Sequence, residues 1–471
     1  MNYVSTRGLA PRLGFEDVLL TGLARDGGLY VPEAWPRLAP ETIAGLAGRP
    51  FDEVAVEVIL PFTGGAFARA DLARMAKAAY ATFGHRAVTP LVQIAPGRFV
   101  LELFHGPTLA FKDVAMQLLA RLMDHVLEKR RQRAMIVGAT SGDTGGAAIE
   151  AFRGSRQVDV VILFPAGRVS DVQRRMMTTP RDANVHAVAI EGTFDDCQSL
   201  VKAMFNDLAF RDRVGLSGVN SINWARIVAQ VTYYFAAAVA LGAPHRKVSF
   251  VVPTGNFGDI FAGHVAWRMG LPIERLVIAS NENDILPRTV ASGTYEMRSV
   301  VATSSPSMDI QISSNFERYL FEASDRDAGL VRGLMASLQQ SRRFALPPAL
   351  HAALQGHFAA GSASEAEVAD AVRRERERSG YLADPHTATA IVAADKALVR
   401  RGGAPQVILA TAHPAKFPDA MAAIAGVRPE LPLRLAGLMH DPERVSVVAN
   451  DLGAIEGFVA ARAATAREGV S

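Results

Sequence analysis

The 471-residue sequence has a single cysteine, Cys197, so no disulfide can form within the chain. Disulfides are a mark of secreted domains, and their exclusion favours a reducing, cytoplasmic location. Cys197 lies in an ordinary amphipathic stretch. We expect it to be a small packing residue rather than a nucleophile, because unpaired cysteine is among the residue types most often buried.

Targeting segments and long apolar runs are also lacking. The first residues contain no apolar signal region, and the longest apolar run, residues 231–243, is shorter than the ~20 residues that span a bilayer. This run predicts a buried helix. Lys and Arg number 50 against 47 Asp and Glu, a difference of 3 spread along the chain. We therefore expect neither a membrane nor a nucleic acid as partner. The 11 histidines are scattered and show no zinc-ligand spacing, so no metal is expected.

Short apolar strands alternate with helical segments from residue 134 onward. Strands are predicted over residues 134–139, 158–165, 185–191, 248–252, 275–280 and 406–411. This alternation predicts an α/β fold with parallel sheets flanked by helices. Ligands of such sheets bind beyond the carboxyl ends of the strands. The first ninety residues lack the rhythm, so we predict a separate N-terminal unit (1–90) followed by a catalytic region (91–471).

Lys112 is the candidate nucleophile. Residues 104–113 (Phe-His-Gly-Pro-Thr-Leu-Ala-Phe-Lys-Asp) precede apolar residues at helical spacing, so a Gly-Pro loop delivers Lys112 to the start of a helix. The positive end of a helix disfavours an ammonium and lowers the lysine pKa. A lysine of lowered pKa can form a Schiff base. Taken alone, the pattern is weak evidence, because most lysines at helix starts are solvated surface groups.

Two glycine-rich segments lie between a predicted strand and a predicted helix. Residues 138–146 contain four glycines, and residues 254–259 read Thr-Gly-Asn-Phe-Gly-Asp. Small residues let the backbone approach a ligand, and the free amides of a helix N-terminus suit an anion. The alternatives are a capped helix start and a tight turn. Neither segment has the spacing of a P-loop or of a dinucleotide fingerprint.

Two further segments carry candidate binding groups. Thr411 ends the last predicted strand and would direct its hydroxyl into the crevice at the strand ends. Residues 220–226 contain the amide of Asn223 and the guanidinium of Arg226, a group suited to bidentate contact with phosphate. An ion pair with a carboxylate is the ordinary alternative for Arg226.

A reactive lysine with two anion-binding loops in an α/β chain is a pattern of pyridoxal-phosphate (PLP) enzymes. Residues 105–113, 138–146, 253–258 and 411–417 resemble, in order, the motifs of the threonine synthase family. Residues 3–8 and 27–32 resemble the N-terminal unit of its longer, bacterial- and fungal-type branch. The resemblance covers nearly the whole chain. It implies fold type II of PLP enzymes (tryptophan synthase β-like), with two α/β subdomains and the site between them.

The resemblance also implies roles for single residues. Lys112 would be the Schiff-base lysine, and Thr411 would hydrogen-bond the pyridine nitrogen. The cofactor phosphate would be held by Thr254, Gly255, Asn256, Phe257 and Gly258. Substrate binding would involve Ser141, Gly142, Asp143 and Thr144 at the α-carboxylate, with Asn223 and Arg226 as candidates for the phosphate. An acidic Asp143 beside an anionic substrate would need a compensating charge.

The implied reaction is the last step of threonine biosynthesis. O-phospho-L-homoserine loses phosphate by γ-elimination, and water then adds at the β-carbon to give L-threonine. The sequence leaves other interpretations open: a serine or threonine dehydratase of the same fold, a phospho-lyase that makes no threonine, or a non-catalytic binder. The binder would lack Lys112, and a nucleotide-binding Rossmann protein would need a fingerprint that residues 138–146 do not show. Oligomeric state is not encoded in any motif.

Overall fold

The N-terminal residues form a small antiparallel sheet packed on helices, in a computed structural model that describes residues 1–397 and 403–468. The elements are β1 (Asn2–Ser5), β2 (Leu13–Gly14), α1 (Phe15–Thr21), β3 (Tyr30–Pro32), α2 (Pro40–Ala44), α3 (Phe51–Thr63) and α4 (Arg69–Tyr80). The strand order is β2-β1-β3. Tyr3 of the central strand is buried, and its hydroxyl donates to the Phe62 carbonyl at 2.7 Å, which ties the sheet to α3.

The next part of the chain builds most of a five-stranded sheet. Its elements are β4 (Leu91–Ala95), β5 (Arg98–Glu102), α5 (Lys112–Arg130), β6 (Ala134–Ala139), α6 (Asp143–Phe152), β7 (Val158–Pro165), α7 (Asp171–Thr178), β8 (Val185–Ile190), α8 (Phe194–Asn206), α9 (Leu208–Val214), β9 (Leu216–Ser217) and α10 (Trp224–Ala240). Every residue of β7 is buried. The strand is apolar apart from Asp159, and such a run is typical of a parallel strand covered on both faces.

The remaining elements complete both parallel sheets. They are β10 (Val248–Pro253), α11 (Gly258–Arg268), β11 (Ile273–Ser280), α12 (Ile285–Ser292), β12 (Thr294–Glu296), α13 (Phe316–Ala323), α14 (Ala328–Ser341), β13 (Arg343–Ala345), α15 (Pro348–His357), β14 (Phe358–Ser362), α16 (Glu365–Ser379), α17 (Pro385–Ala397), β15 (Gln406–Ala410), α18 (Pro418–Ala425), β16 (Ser446–Val448) and α19 (Leu452–Glu468).

Two sheets divide the predicted strands between them. The five-stranded sheet has the order β16-β8-β7-β6-β9 and is parallel throughout. The six-stranded sheet has the order β14-β11-β10-β15-β5-β4, with only the edge strand β4 antiparallel. The α/β class is therefore confirmed, and each of the six predicted strands matches an observed one to within two residues at either end. The predicted buried helix lies largely within α10.

The N-terminal segment shares its core with the rest of the chain. One cluster of buried apolar residues runs from Tyr3 to Leu409, and the Tyr3 ring lies 5.8 Å from the ring of Trp224 in α10. The predicted boundary near residue 90 falls between α4 and β4 and stays a prediction. Among the described residues, none of the helices combines the length and the apolar character needed to cross a lipid bilayer.

Candidate active site

The loop before α5 brings Lys112 to the end of β15. The Phe111 N–H donates to the Thr411 carbonyl at 2.8 Å, so the residue preceding the lysine is bonded to the residue following the strand. Asp113 fixes the loop from within, because its carboxylate accepts from the Thr108 N–H at 2.8 Å and from the Thr108 hydroxyl at 2.7 Å. Lys112 is consequently the first residue of α5, as predicted.

Lys112 is buried rather than solvated. Only 9% of the residue is exposed, and its Nζ lies 3.2 Å from Asp143 Oδ2 and 4.9 Å from the centre of the Phe111 ring. Burial lowers the pKa of Lys112, an effect that the Asp143 carboxylate opposes and the Lys416 charge reinforces. The interpretation as an ordinary surface lysine is therefore excluded.

The loop after β6 presents Asp143 at the start of α6. Thr140 Oγ1 accepts from the amides of Gly142 at 2.9 Å and Gly145 at 3.0 Å, which closes the loop. Gly142 has a φ of 144°, and a Cβ there would lie 2.5 Å from the Gln173 side chain, so only glycine fits. Ser141 is exposed, which leaves its side chain accessible at the mouth of the loop.

Asp143 is an ionised group at the centre of the site. Its Oδ2 accepts from Lys112 and from the Ser307 hydroxyl, each at 3.2 Å, and its Oδ1 accepts from Lys416 at 2.7 Å and Gln173 at 2.9 Å. Burial alone would raise the pKa of Asp143, but the charges of Lys416 and Lys112 lower it well below its usual value. The compensation that the sequence required for this acid is therefore supplied by two lysines.

The loop after β10 forms a cradle of free amides. The N–H groups of Gly255, Asn256, Phe257 and Gly258 donate no hydrogen bond to another residue in the part of the chain that the structure describes. The loop is shaped by Phe257, whose φ is 62°, and by Ser313, whose hydroxyl donates to the Gly255 carbonyl. Four unpaired amides at the start of α11 are the arrangement that binds phosphate.

Thr254 and Thr411 both lie buried at strand ends. The Thr254 hydroxyl donates to the Val252 carbonyl at 2.6 Å and so stabilises the turn out of β10. Thr411 follows β15 directly and is 6% exposed. The end of β15 and the start of α5, which carries Lys112, thus lie side by side and are joined by the bond between Phe111 and Thr411.

Asn223 and Arg226 differ in what they offer a ligand. The Asn223 side chain caps α10 by accepting from the Ala225 N–H and donates to the Leu19 carbonyl, each at 2.9 Å. Both ends of its amide are thus used within the protein. Arg226 is buried and donates through one nitrogen to the Val219 carbonyl at 3.0 Å, while its Nε has no partner among the described residues. Burial lowers the pKa of Arg226 to about 10.

Three groups near Asp143 were not predicted to act in the site. Lys416 lies within the segment 411–417 but received no role, and Ser307 and His386 lie outside every motif. The His386 ring bonds to the Asp384 carboxylate at 2.7 Å and accepts from the Ser307 N–H at 3.4 Å. A lysine between apolar residues at 415 and 417 was the one signal in the sequence.

Comparison with known proteins assigns the chain to a class of enzymes. Residues 83–412 match the family model described as "Pyridoxal-phosphate dependent enzyme", and they contain the lysine, the amide cradle and both flanking loops. The chain is therefore a PLP-dependent enzyme of fold type II. Its residues fit the cofactor, because Lys112 supplies a buried amine and residues 255–258 supply unpaired amides for a phosphate group.

The chain belongs to the threonine synthase family. Residues 2–80 match the model described as "Threonine synthase N terminus", and residues 387–459 match "Threonine synthase, C-terminal". The threonine synthase of Pseudomonas aeruginosa is 50% identical over 460 residues, which are 98% of each chain.

Two solved structures extend this comparison. A crystal structure of PLP-bound threonine synthase from Brucella melitensis is 60% identical, with a TM-score of 0.96 over 98% of this chain and 99% of that chain. The yeast threonine synthase structure is 38% identical, with a TM-score of 0.92 over 98% and 99%. The reaction is accordingly the PLP-dependent lyase reaction of this family, which converts O-phospho-L-homoserine and water to L-threonine and phosphate.

Proposed function

We propose that this chain performs the reaction of its family at the site around Lys112, with the residues in the following roles. The observation that carries the proposal is a buried lysine at the start of α5, held 3.2 Å from an ionised carboxylate. The amide cradle at the start of α11 adjoins this carboxylate through Ser307, whose hydroxyl donates to Asp143 and whose carbonyl lies 3.0 Å from the position that a Cβ on Gly255 would take. The end of β15 is joined to the residue before Lys112 by the bond between Phe111 and Thr411. A reactive amine needs this burial, because an ammonium exposed to water stays protonated.

Lys112 would bond covalently to the cofactor and later act as a base. Once substrate displaces it, the Lys112 Nζ is free to take the α-proton of the substrate. Burial favours the neutral amine required for that step. The cofactor, when bound, supplies an electron sink for the charge that this proton leaves behind. The same Nζ would return protons in later steps of the reaction.

The cofactor would be held at both of its ends. The amides of residues 255–258 would receive the phosphate, and Thr254 would keep the turn out of β10 in place. Thr411 would hydrogen-bond the pyridine nitrogen through its hydroxyl. A hydroxyl in place of a carboxylate leaves that nitrogen largely unprotonated and moderates the electron sink.

The substrate would be held at its two anionic ends. Ser141, Gly142 and Thr144 would receive the α-carboxylate at the start of α6, where backbone amides suit an anion. Asp143 would not contact this carboxylate, because its oxygens already accept from lysines, Gln173 and Ser307. Arg226, with its unpartnered Nε, would receive the substrate phosphate, and Asn223 would hold the start of α10 in place for it.

A cytoplasmic location is also proposed for this chain. Its one cysteine is reduced and buried, which suits a compartment in which disulfides are not maintained. Cell fractionation of a tagged full-length chain tests this, and recovery in a membrane or secreted fraction would contradict it.

The experiment that tests the site is an absorbance spectrum of the purified protein with PLP, followed by product analysis. We expect a band of covalently bound cofactor that Lys112→Ala abolishes and that Lys77→Ala, a change at an exposed lysine of α4, leaves intact. After O-phospho-L-homoserine is added, phosphate and threonine should appear in equal amounts. A persistent band in Lys112→Ala would refute the lysine assignment. Phosphate without threonine would instead indicate a phospho-lyase.

A further inference from the structure

Two buried lysines bind the same carboxylate from opposite sides. Lys416 Nζ lies 2.7 Å from Asp143 Oδ1, and Lys112 Nζ lies 3.2 Å from Asp143 Oδ2. Lys416 is fully buried at 0% exposure, and its Nζ also donates to the Thr108 carbonyl at 2.7 Å. Fully buried lysines are rare unless they are paired. The pairing with Asp143 accounts for the burial of Lys416, and the open question is what a second lysine contributes to a carboxylate that already faces Lys112.

One carboxylate facing one lysine would work against the chemistry of Lys112. Opposite charges within ~4–6 Å stabilise each other's ionised forms by roughly one to three pH units. Asp143 alone would thus hold Lys112 as an ammonium, whereas a nucleophile and base must be neutral. Lys416 supplies a second positive charge to the same carboxylate, so Asp143 keeps an ion-pair partner after Lys112 has lost its proton.

The contacts show which lysine is bound more firmly. Lys416 makes two hydrogen bonds of 2.7 Å, one to Asp143 and one to the Thr108 carbonyl. Lys112 makes one, of 3.2 Å. Lys112 is therefore the more loosely bound of the two partners of Asp143. The Thr108 contact also fixes the Lys416 ammonium to the loop that carries Lys112.

We propose that Lys416 is a positioning residue that acts through Asp143, as a fixed counter-charge that frees Lys112 to lose its proton. The proposal rests on the role of Lys112 given above. The other charged groups that act on Lys112 are Arg226 from α10, which disfavours the ammonium, and Asp259 from α11. Neither contacts Asp143, so the charge of that carboxylate is balanced through Lys416.

The test is the pH dependence of cofactor uptake, which needs no turnover. Full-length protein stripped of PLP is mixed with PLP between pH 6 and pH 10, and the rate of appearance of the covalent band gives the midpoint for Lys112 deprotonation. We expect Lys416→Met to raise this midpoint by on the order of one to three pH units. Lys416→Arg, which keeps the charge, and Lys77→Met, at an exposed site, should leave it unchanged.

A double variant separates the charge from the packing. Lys416→Met combined with Asp143→Asn removes both charges, so the midpoint should fall back to the wild-type value or below it. An unchanged midpoint in folded Lys416→Met would overturn the proposal, as would a double variant that keeps the raised value. If Lys416→Met does not fold, Lys416→Gln removes the charge while keeping a donor for Thr108, and the same raised midpoint is required of it.

This design also separates the proposal from the function on which it rests. A covalent band that survives Lys112→Ala would refute the role of Lys112. If Lys112→Ala loses the band but Lys416→Met shows the wild-type midpoint, the role of Lys112 stands. That result would refute only the role of Lys416.

Discussion

Replacing Asp259 by asparagine tests the electrostatics directly behind the amide cradle of residues 255–258. Asp259 lies in the first turn of α11, and its Oδ1 accepts from the hydroxyls of Tyr233 and Tyr234. Its Oδ2 is buried and has no partner among the residues that the structure describes. Burial raises the pKa of Asp259 to about 7. In the unfolded chain, an aspartate titrates near 3.9.

The sign of the effect follows from these two pKa values. The folded protein binds the Asp259 proton more tightly than the unfolded chain does. The stabilisation is therefore complete below about pH 4 and is lost as the pH rises through about 7. Three pH units correspond to about 4 kcal/mol, of which roughly 2 to 3 kcal/mol should be lost between pH 5 and pH 8. Asparagine has the same shape but does not ionise. The stability of Asp259→Asn should therefore not fall in this way as the pH rises.

The assay is urea unfolding of wild type and Asp259→Asn at pH 5, 6, 7 and 8, without cofactor. The new amide needs an acceptor and can cost about 1–3 kcal/mol of folding free energy at every pH. The decisive quantity is therefore how the difference in unfolding free energy between variant and wild type changes with pH. We expect the free energy of unfolding of the variant, relative to that of wild type, to rise by roughly 2 to 3 kcal/mol from pH 5 to pH 8. Asp212→Asn, at an exposed site, is the matched control. Parallel pH profiles for wild type and Asp259→Asn would refute the reasoning.

Three further changes test the scaffold. Gly106→Ala places a Cβ 2.4 Å from the Asp113 Cβ, so we expect a loss of about 1–3 kcal/mol and a lower thermal midpoint; an unchanged midpoint would contradict the packing. Asn223→Ala removes the cap of α10 and its bond to Leu19, with an expected loss of about 1–2 kcal/mol in urea unfolding; a loss as small as that of an exposed Asn→Ala change would argue against it. Glu317→Gln weakens the contacts with Thr6 at 2.6 Å and Arg7 at 3.0 Å, so amide exchange in β1 and β2 should accelerate, and unaltered exchange there would count against the contact.

The elements that the sequence predicted are those with strong local signals. The strands 158–165 and 248–252 consist mainly of Val, Ile, Leu and Phe, interrupted by Asp159 and Ser249. A parallel strand buried on both faces needs such a largely apolar run. The loops at 138–146 and 254–259 follow strands directly, so their position at the sheet edge could be inferred from order alone. The position of Lys112 at a helix start could also be predicted, because a Gly-Pro loop precedes it and apolar residues at helical spacing follow it.

Two of the strands that escaped prediction have weak local signals. β14 (Phe-Ala-Ala-Gly-Ser) has no β-branched residue, and β9 has only two residues. The hairpin β4–β5 was missed although Pro96-Gly97 is a turn signal between two apolar runs.

The polar partners of the site were hidden for a different reason. Lys416 and Asp143 are far apart in sequence, as are Ser307 and Asp143, whose contact spans 164 positions. No periodicity or local motif reports such a contact. The structure was needed to show that Asn223 caps a helix and that Asp143 pairs with two lysines.

The helix α13 connects the N-terminal residues with the loop after β10. Glu317 holds Thr6 and Arg7, and Arg318 donates to the Tyr30 carbonyl at 3.0 Å. Just before the helix, Asn315 donates to the carbonyl of Asn256 in the amide cradle at 3.0 Å. The first thirty residues and α13 should therefore evolve as a matched pair, with changes on one side followed by changes on the other. A chimera of two relatives would keep its activity best when both segments come from the same parent.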